Sequence, residues 1–131
     1  MEIVYRPMIF DEVQATLPEI PRGRISGVSA WDDVLLVGRG FLTIWRDIGE
    51  ISDLWVDDYY RNRGIGTQII RELAKIARSH HLHIIEIGVK DDNHGAMRLY
   101  ERLGFMAYRQ IDSPTQPITY LRCETQNLLN L

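Results

Sequence analysis

A single cysteine, Cys123, stands among the 131 residues, so the chain cannot close an internal disulfide. The expected compartment is therefore reducing, that is, cytoplasmic. Cys123 falls in the alternating run ITYLRCE and reads as a small strand residue rather than a nucleophile. Long apolar runs are missing as well. The longest approach to one is VLLV at 34–37, far short of the roughly 20 residues a membrane helix needs, so no membrane partner is expected. The opening MEIVYRPMIFDEV carries acids where a secretory signal needs a basic start and an apolar stretch, so no leader is expected either. Repeats, low-complexity tracts and linkers are absent, which points to one domain over residues 1–131.

A strong excess of one charge is also lacking, with a net charge of −3. Residues 1–60 hold 11 acidic and 5 basic side chains, and residues 61–131 hold 7 and 10. Neither half is basic enough for wholesale nucleic-acid binding, which argues against a nucleic-acid partner. An acidic half joined to a mildly basic one suggests two ligands of opposite sign, although solvated surfaces also show such asymmetry. Metal-ligand spacing is missing too. HHLH at 80–83 has no second cluster of Cys, His or carboxylate to complete a site, so no metal is expected. His80 and His81 instead suit the negative end of a helix dipole, and His94 is expected to be exposed.

What is present is patterning. EIVYR (2–6) reads as a short strand ended by Pro7, and FDEVQATL (10–17) as two turns of helix before Pro18 and Pro21. RISGVSAW (24–31) and VLLVGRGFLTIW (34–45) read as a hairpin about Asp32 and Asp33, with Gly38 and Gly40 marking a bulge or bend. A turn at RDIG (46–49) leads into the strand EISDLWV (50–56). In TQIIRELAKIARSH, residues Ile69, Ile70, Leu73, Ala74, Ile76 and Ala77 recur at helical spacing. LHIIEIGV (82–89) is β-branched and reads as an interior strand. DDNHGAMRLYERLGF predicts a second helix, with Ala96, Leu99, Tyr100 and Leu103 on one side and Gly104 as its terminator. FMAYRQI (105–111) and ITYLRCE (118–124) close as a strand pair, and the whole order predicts a mixed α/β domain.

Between the strand ending at Val56 and the first long helix stands RNRGIGT (61–67). A helix start presents unpaired N–H groups and the positive end of the macrodipole. Glycines let such a backbone approach an anion because no Cβ intervenes. Arg61 and Arg63 add fixed positive charge and forked donors, so a pyrophosphate is a fitting ligand. The run is not a Walker loop, for it lacks the Gly-Lys-Ser/Thr ending. Nor is it a dinucleotide fingerprint, since Ile69 stands where the third glycine belongs. On these residues alone, a merely structural tight turn remains the alternative.

Taken together, RNRGIG and NHGAMRLYERLGF resemble the GNAT superfamily of acyl-CoA-dependent N-acetyltransferases. The loop pattern Gln/Arg-x-x-Gly-x-Gly/Ala is met by Arg61, Gly64 and Gly66. The pattern Asn-x-x-Ala-x-x-Leu-Tyr-x-x-x-Gly-Phe is met by Asn93, Ala96, Leu99, Tyr100, Gly104 and Phe105. The likeness covers residues 50–111 and departs at Asp58 and Asn62, where many members have Pro and Gly. Asn accepts a left-handed backbone better than most residues, so the loop shape can survive. The resemblance implies a mostly antiparallel sheet with splayed central strands, helices packed on both faces, and acetyl-CoA as co-substrate in the gap. It implies that backbone groups of Leu54, Trp55 and Val56 pair with the pantetheine amides and polarise the thioester. It places the pyrophosphate on backbone N–H groups of Asn62, Arg63, Gly64, Ile65, Gly66 and Thr67, beside Arg61. Asn93 and Ala96 would meet the pantetheine arm at the start of the second helix.

The resemblance also makes Tyr100 the general acid that protonates the departing thiolate, with core packing as its alternative role. An amine acceptor arrives mostly protonated, with a pKa of ~10.4 for a lysine-type amine, and must lose that proton before attack. Glu50 resembles the catalytic glutamate of histone-type members, and Asp53 and Glu86 are alternatives, as is a water chain. Strand alternation puts Glu50 and Asp53 on opposite faces unless a bulge intervenes. Trp31, Trp45, Trp55, Tyr59 and Tyr60 are candidates to line an acceptor cleft, with burial as their default. Members of the family place two helices between the first two strands, whereas here about twenty residues separate Tyr5 from Ile25, with Pro7, Pro18, Pro21 and Gly23 among them. At most one short helix fits. The acceptor side is therefore expected to be open to a small-molecule, peptide or protein amine, or completed by a second copy in a homodimer, with the acidic half drawing a cationic amine in. The reading from another class is a non-catalytic acyl-CoA sensor or regulatory module.

Overall fold

A computed structural model of the chain describes residues 2–17 and 24–131. Seven strands, β1 (Ile3–Pro7), β2 (Arg24–Asp32), β3 (Leu35–Trp45), β4 (Ile48–Val56), β5 (Ile84–Lys90), β6 (Met106–Ile111) and β7 (Ile118–Glu124), form one sheet. Their order across it is β1-β2-β3-β4-β5-β7-β6. Neighbours are antiparallel except β4 and β5, which run parallel. The helices are α1 (Phe10–Thr16), α2 (Ile65–Ser79), α3 (His94–Arg102) and α4 (Thr125–Leu129). The mixed α/β, mostly antiparallel expectation is met.

The long helix lies where its apolar stripe sends it. Ile65, Ile69, Ile70, Leu73, Ala74 and Ala77 are all buried, and they press onto β3 where that strand offers no side chain. A Cβ on Gly40 would stand 3.0 Å from Ile69 Cγ2 and 3.3 Å from Leu73 Cδ1, so α2 rests almost on the strand backbone. Leu42, Ile51, Ile85, Ile87, Tyr100, Phe105 and Leu121 join the same core. On the opposite face Phe41 and Met8 close round Gly27, and α1 follows directly with Val13 buried. Helices thus cover both faces, unequally.

The two main helices end in defined caps that steer the chain onward. After α3, Gly104 takes φ 104, its N–H reaching Glu101 O at 3.1 Å and the Phe105 N–H reaching Tyr100 O at 3.0 Å. This paired termination folds Phe105 back, edge-on to the Tyr100 ring at 5.8 Å. The terminator expected of Gly104 is therefore observed. After α2, His81 takes the left-handed position at φ 60 while the Leu82 N–H reaches Ala77 O at 3.0 Å. Its neighbour His80 meets Arg24 Nη1 through Nδ1 at 3.3 Å.

Some boundaries move. The β2–β3 turn is Asp33 and Val34, one residue later than expected, because Asp33 rather than Asp32 adopts positive φ (54). The next turn narrows to Arg46 and Asp47. α2 begins at Ile65, so Gly66 lies in its first turn and not in the loop. The short α4, with Leu128 fully buried, gave no periodic signal over five residues. Between β1 and β2, α1 of seven residues is the helix among the described residues, and Pro18, Pro21 and Gly23 lie outside them.

Candidate active site

β4 and β5 pair only from Ile48 with Ile84 to Ile51 with Ile87. Beyond that point β4 continues to Val56 and β5 to Lys90, and the two strands part. A bulge accompanies the parting. The β3–β4 register steps from Arg39 opposite Trp55 to Phe41 opposite Ser52, so Asp53 and Leu54 together oppose Gly40. Asp53 takes φ 49 there and stays exposed. The extra residue turns Leu54 and Val56, rather than Asp53 and Trp55, onto the core face with Ile51. The opening holds a cleft of about 490 Å³, with Leu54 on one wall, Ile87 and Val89 on the other, and Asn93, Ala96 and Tyr100 of α3 beyond.

Of the three β4 residues expected to offer their backbone, alternation removes one. The Asp57 N–H donates to Val37 O at 2.8 Å, in the register that pairs Arg39 with Trp55. Alternate residues of an antiparallel ladder turn both backbone groups to the same neighbour. Trp55 therefore gives its groups to β3, while Leu54 and Val56 turn theirs toward the opening. Val56 O accepts from Arg61 Nε at 3.2 Å, which leaves the Val56 N–H.

The loop at the mouth is held from within. Asn62 takes φ 61 and Gly64 φ 79, the left-handed geometry expected of that Asn. Arg61 Nη2 pairs with Asp58 at 3.1 Å, and the Arg63 guanidinium lies 5.0 Å over Tyr59 and 5.4 Å over Tyr60. The Tyr60 hydroxyl donates to Asp32 at 2.6 Å, tying the loop to the β2–β3 hairpin. Gln68 is the first residue of α2 whose N–H closes a helical turn, onto Gly64 O at 3.0 Å. The N–H groups of Ile65, Gly66 and Thr67 stand before it with no acceptor among the described residues, and a Cβ on Gly64 would meet nothing within 4 Å. That is a backbone site for an anion.

On the far side of the cleft, Asn93 Oδ1 caps α3 by accepting from the Ala96 N–H at 3.1 Å. Its carbonyl oxygen is thereby taken, and its amide nitrogen has no partner among the described residues. Tyr100 is 7% exposed, and burial raises its phenol pKa, so it is a neutral proton donor at neutral pH.

A second cavity, about 610 Å³, lies against the opposite face of the sheet. Glu50 and Glu86 face each other there as register partners of β4 and β5, one residue before the strands part. Arg122 extends the row on β7, its Nε donating to Glu86 Oε1 at 3.3 Å, and the Tyr108 hydroxyl donates to the same oxygen. Burial is the main cause that raises the Glu50 pKa. The Glu86 charge and a hydrogen bond to Glu86 add to it, and Arg109 opposes it. The carboxylates read from the sequence are thus divided: Glu50 and Glu86 share this cavity, whereas Asp53 lines the cleft.

Two expectations change here. Of the five aromatics considered, only Trp45 lines the acceptor-side cavity; Trp55 packs under Arg39 at 5.1 Å and Trp31 under Arg6 at 4.5 Å. The acidic half does not map onto this cavity either, since Arg46, Arg109 and Arg122 stand there against Glu50 and Glu86. The parallel β4–β5 pair brings both halves of the chain side by side, so a count by halves says nothing of the local sign. Tyr108, Arg109 and Arg122 were not among the candidates, for they reach the site from strands distant in sequence. Among the described residues no group of three His, Cys, Asp or Glu could hold a metal, and no helix is long and apolar enough to cross a membrane.

Known proteins share this geometry and both sequence motifs. The model of the Acetyltransferase (GNAT) family matches residues 6–105. An uncharacterized N-acetyltransferase of Methanocaldococcus jannaschii is 40% identical over 60 residues, covering 46% of this chain and 26% of that protein. Glucosamine 6-phosphate N-acetyltransferase of Trypanosoma brucei brucei is 32% identical over 90 residues, covering 69% of this chain and 56% of that protein. The chain therefore spans between a quarter and just over half of the length of these curated relatives. Among solved structures, a GNAT family acetyltransferase from Elizabethkingia anophelis with acetyl-CoA bound superposes with a TM-score of 0.74 at 17% identity, covering 93% of this chain and 97% of that one. At that identity the likeness is one of fold.

Proposed function

The chain belongs to the GNAT acetyltransferase family, and from that footing we propose that it transfers an acetyl group from acetyl-CoA to a primary amine by direct attack in a ternary complex. One juxtaposition carries the reading. The central strands part immediately after the Glu50 and Glu86 pair, with Tyr100 on the cleft side and the carboxylates on the other. A thioester lying in the opening can thus be met by an amine from the acceptor face.

The residues present fit acetyl-CoA. The N–H groups of Ile65, Gly66 and Thr67 would receive the pyrophosphate, with the loop from Arg61 to Gly64 shaping the approach. Backbone groups of Leu54 and the Val56 N–H would pair with the pantetheine amides, and the Asn93 amide nitrogen would donate to that arm beside Ala96. When bound, acetyl-CoA supplies an activated acyl group and a thiolate leaving group. Glu50, with its raised pKa, would take the proton from the acceptor ammonium. Glu86, held by Arg122 and Tyr108, positions that carboxyl and keeps its proton affinity high. As the C–N bond forms and the C–S bond breaks, Tyr100 would give its proton to the departing sulfur.

The test is release of CoA thiol across a broad panel of amines, peptides included. Acetylation of at least one class with saturable kinetics is the expected result. Binding of CoA with no acetylation of any amine would defeat the proposal and favour a non-catalytic acyl-CoA-binding module.

A further inference from the structure

We propose that the amine acceptor carries an anionic group, a carboxylate or a phosphate, which Arg109 and Arg46 receive while the amine turns to Glu50. This deepens the acetyl-transfer reading of the same cavity and rests on it. Three arginines and two glutamates line the cavity. Arg122 and Glu86 neutralise each other through their 3.3 Å contact, and the Tyr108 ring lies 4.1 Å beneath the Arg122 guanidinium, holding that pair in place. Glu50, Arg46 and Arg109 then remain. Among the described residues, no carboxylate comes within ion-pairing distance of Arg46 or Arg109.

An acceptor whose only charge is its ammonium would enter a cavity with a positive surplus, where the cations repel it. An acceptor with both charges meets both signs. The guanidinium fork matches the paired oxygens of a carboxylate or phosphate, which an exposed lysine could not do as well.

The backbone aims these groups. The β6–β7 register steps from Ala107 opposite Leu121 to Arg109 opposite Tyr120, so Tyr108 is an extra residue in β6. In a regular strand Tyr108 and Arg109 would point to opposite faces; the bulge turns both into one cavity. The Tyr120 ring, 4.9 Å under the Arg109 guanidinium, fixes its plane.

The experiment compares propylamine, 3-aminopropanoate and 2-aminoethyl phosphate as acceptors at saturating acetyl-CoA. One or both anionic amines should exceed propylamine in kcat/KM by about tenfold or more, the value of one charge-assisted hydrogen bond. Which arm leads identifies the anion. Arg109→Gln and Arg46→Gln should each shrink that ratio. Equal kcat/KM for all three amines, or a preference unchanged in both variants, overturns the inference. If acetyl-CoA binds by calorimetry and no amine is acetylated, the acetyl-transfer reading fails. The acceptor class is then decided by titrating the same three amines into the CoA complex. Tighter binding of the anionic ones sustains the inference, and equal or absent binding overturns it.

Discussion

Replacing Tyr100 by Phe removes one oxygen and leaves the ring. The ring is what the fold uses: it is 7% exposed and meets Phe105 edge-on at 5.8 Å. The hydroxyl lines the cleft and has no hydrogen-bond partner among the described residues. Its loss should therefore change stability by no more than about 0.5 kcal/mol. The chemical cost is of another size. General-acid assistance is typically worth roughly 10²–10⁴-fold, or about 2.7–5.5 kcal/mol of transition-state stabilisation. Because the proton transfer helps only the transition state, kcat should fall while the KM for acetyl-CoA stays within a few-fold. Thiol-release kinetics at neutral pH give both parameters, and thermal unfolding confirms that the variant is folded. A folded Tyr100→Phe enzyme that retains kcat within about twofold would refute the acid role, since general-acid loss has a floor near a hundredfold.

The pH profile tests the carboxylate pair. Ionised Glu50 is the active base, so kcat/KM should rise with pH through its raised pKa; Glu86→Gln removes a neighbouring charge that raises it and should move this acid limb to lower pH. Arg109 lowers the same pKa, so Arg109→Gln should move the limb the other way. The two loop glycines should part company. Gly64→Ala places a Cβ at φ 79 and should cost about 1–2 kcal/mol in thermal stability, while weakening acetyl-CoA binding because that Cβ points into open space at the anion site. Gly66→Ala sits in the first turn of α2 with its Cβ 3.7 Å from Val56 and should stabilise the fold by about 0.5–1 kcal/mol, with acetyl-CoA affinity retained by calorimetry. Gly40→Ala should destabilise by about 1–3 kcal/mol in denaturant unfolding, since its Cβ would crowd Ile69 at 3.0 Å and Leu54 at 3.2 Å.

Local signals were legible. The apolar stripe of α2, the Gly104 stop and the interior strand around Glu86 depend on neighbours a few residues away, and a linear pattern carries that information. The two motifs also placed Gly64, Asn93 and Tyr100 round one cleft. Long-range register was not legible. Asp53 becomes a bulge because β3 opposes it with Gly40, which decides that Leu54 and not Trp55 faces the core. The company Glu50 keeps, Glu86 beside it with Arg122 and Tyr108 beyond, comes from strands far along the chain. Arg61 and Arg63, read as phosphate donors, are engaged with Asp58, Val56 and the two tyrosines, so the anion site is mainly backbone.

A crystal structure of the chain grown with acetyl-CoA tests the central claim most directly. The account predicts diphosphate oxygens on the N–H groups of Ile65, Gly66 and Thr67, and the thioester in the β4–β5 opening within reach of Tyr100. Ligand seated on any other surface, or crystals that stay empty at saturating acetyl-CoA, would contradict it.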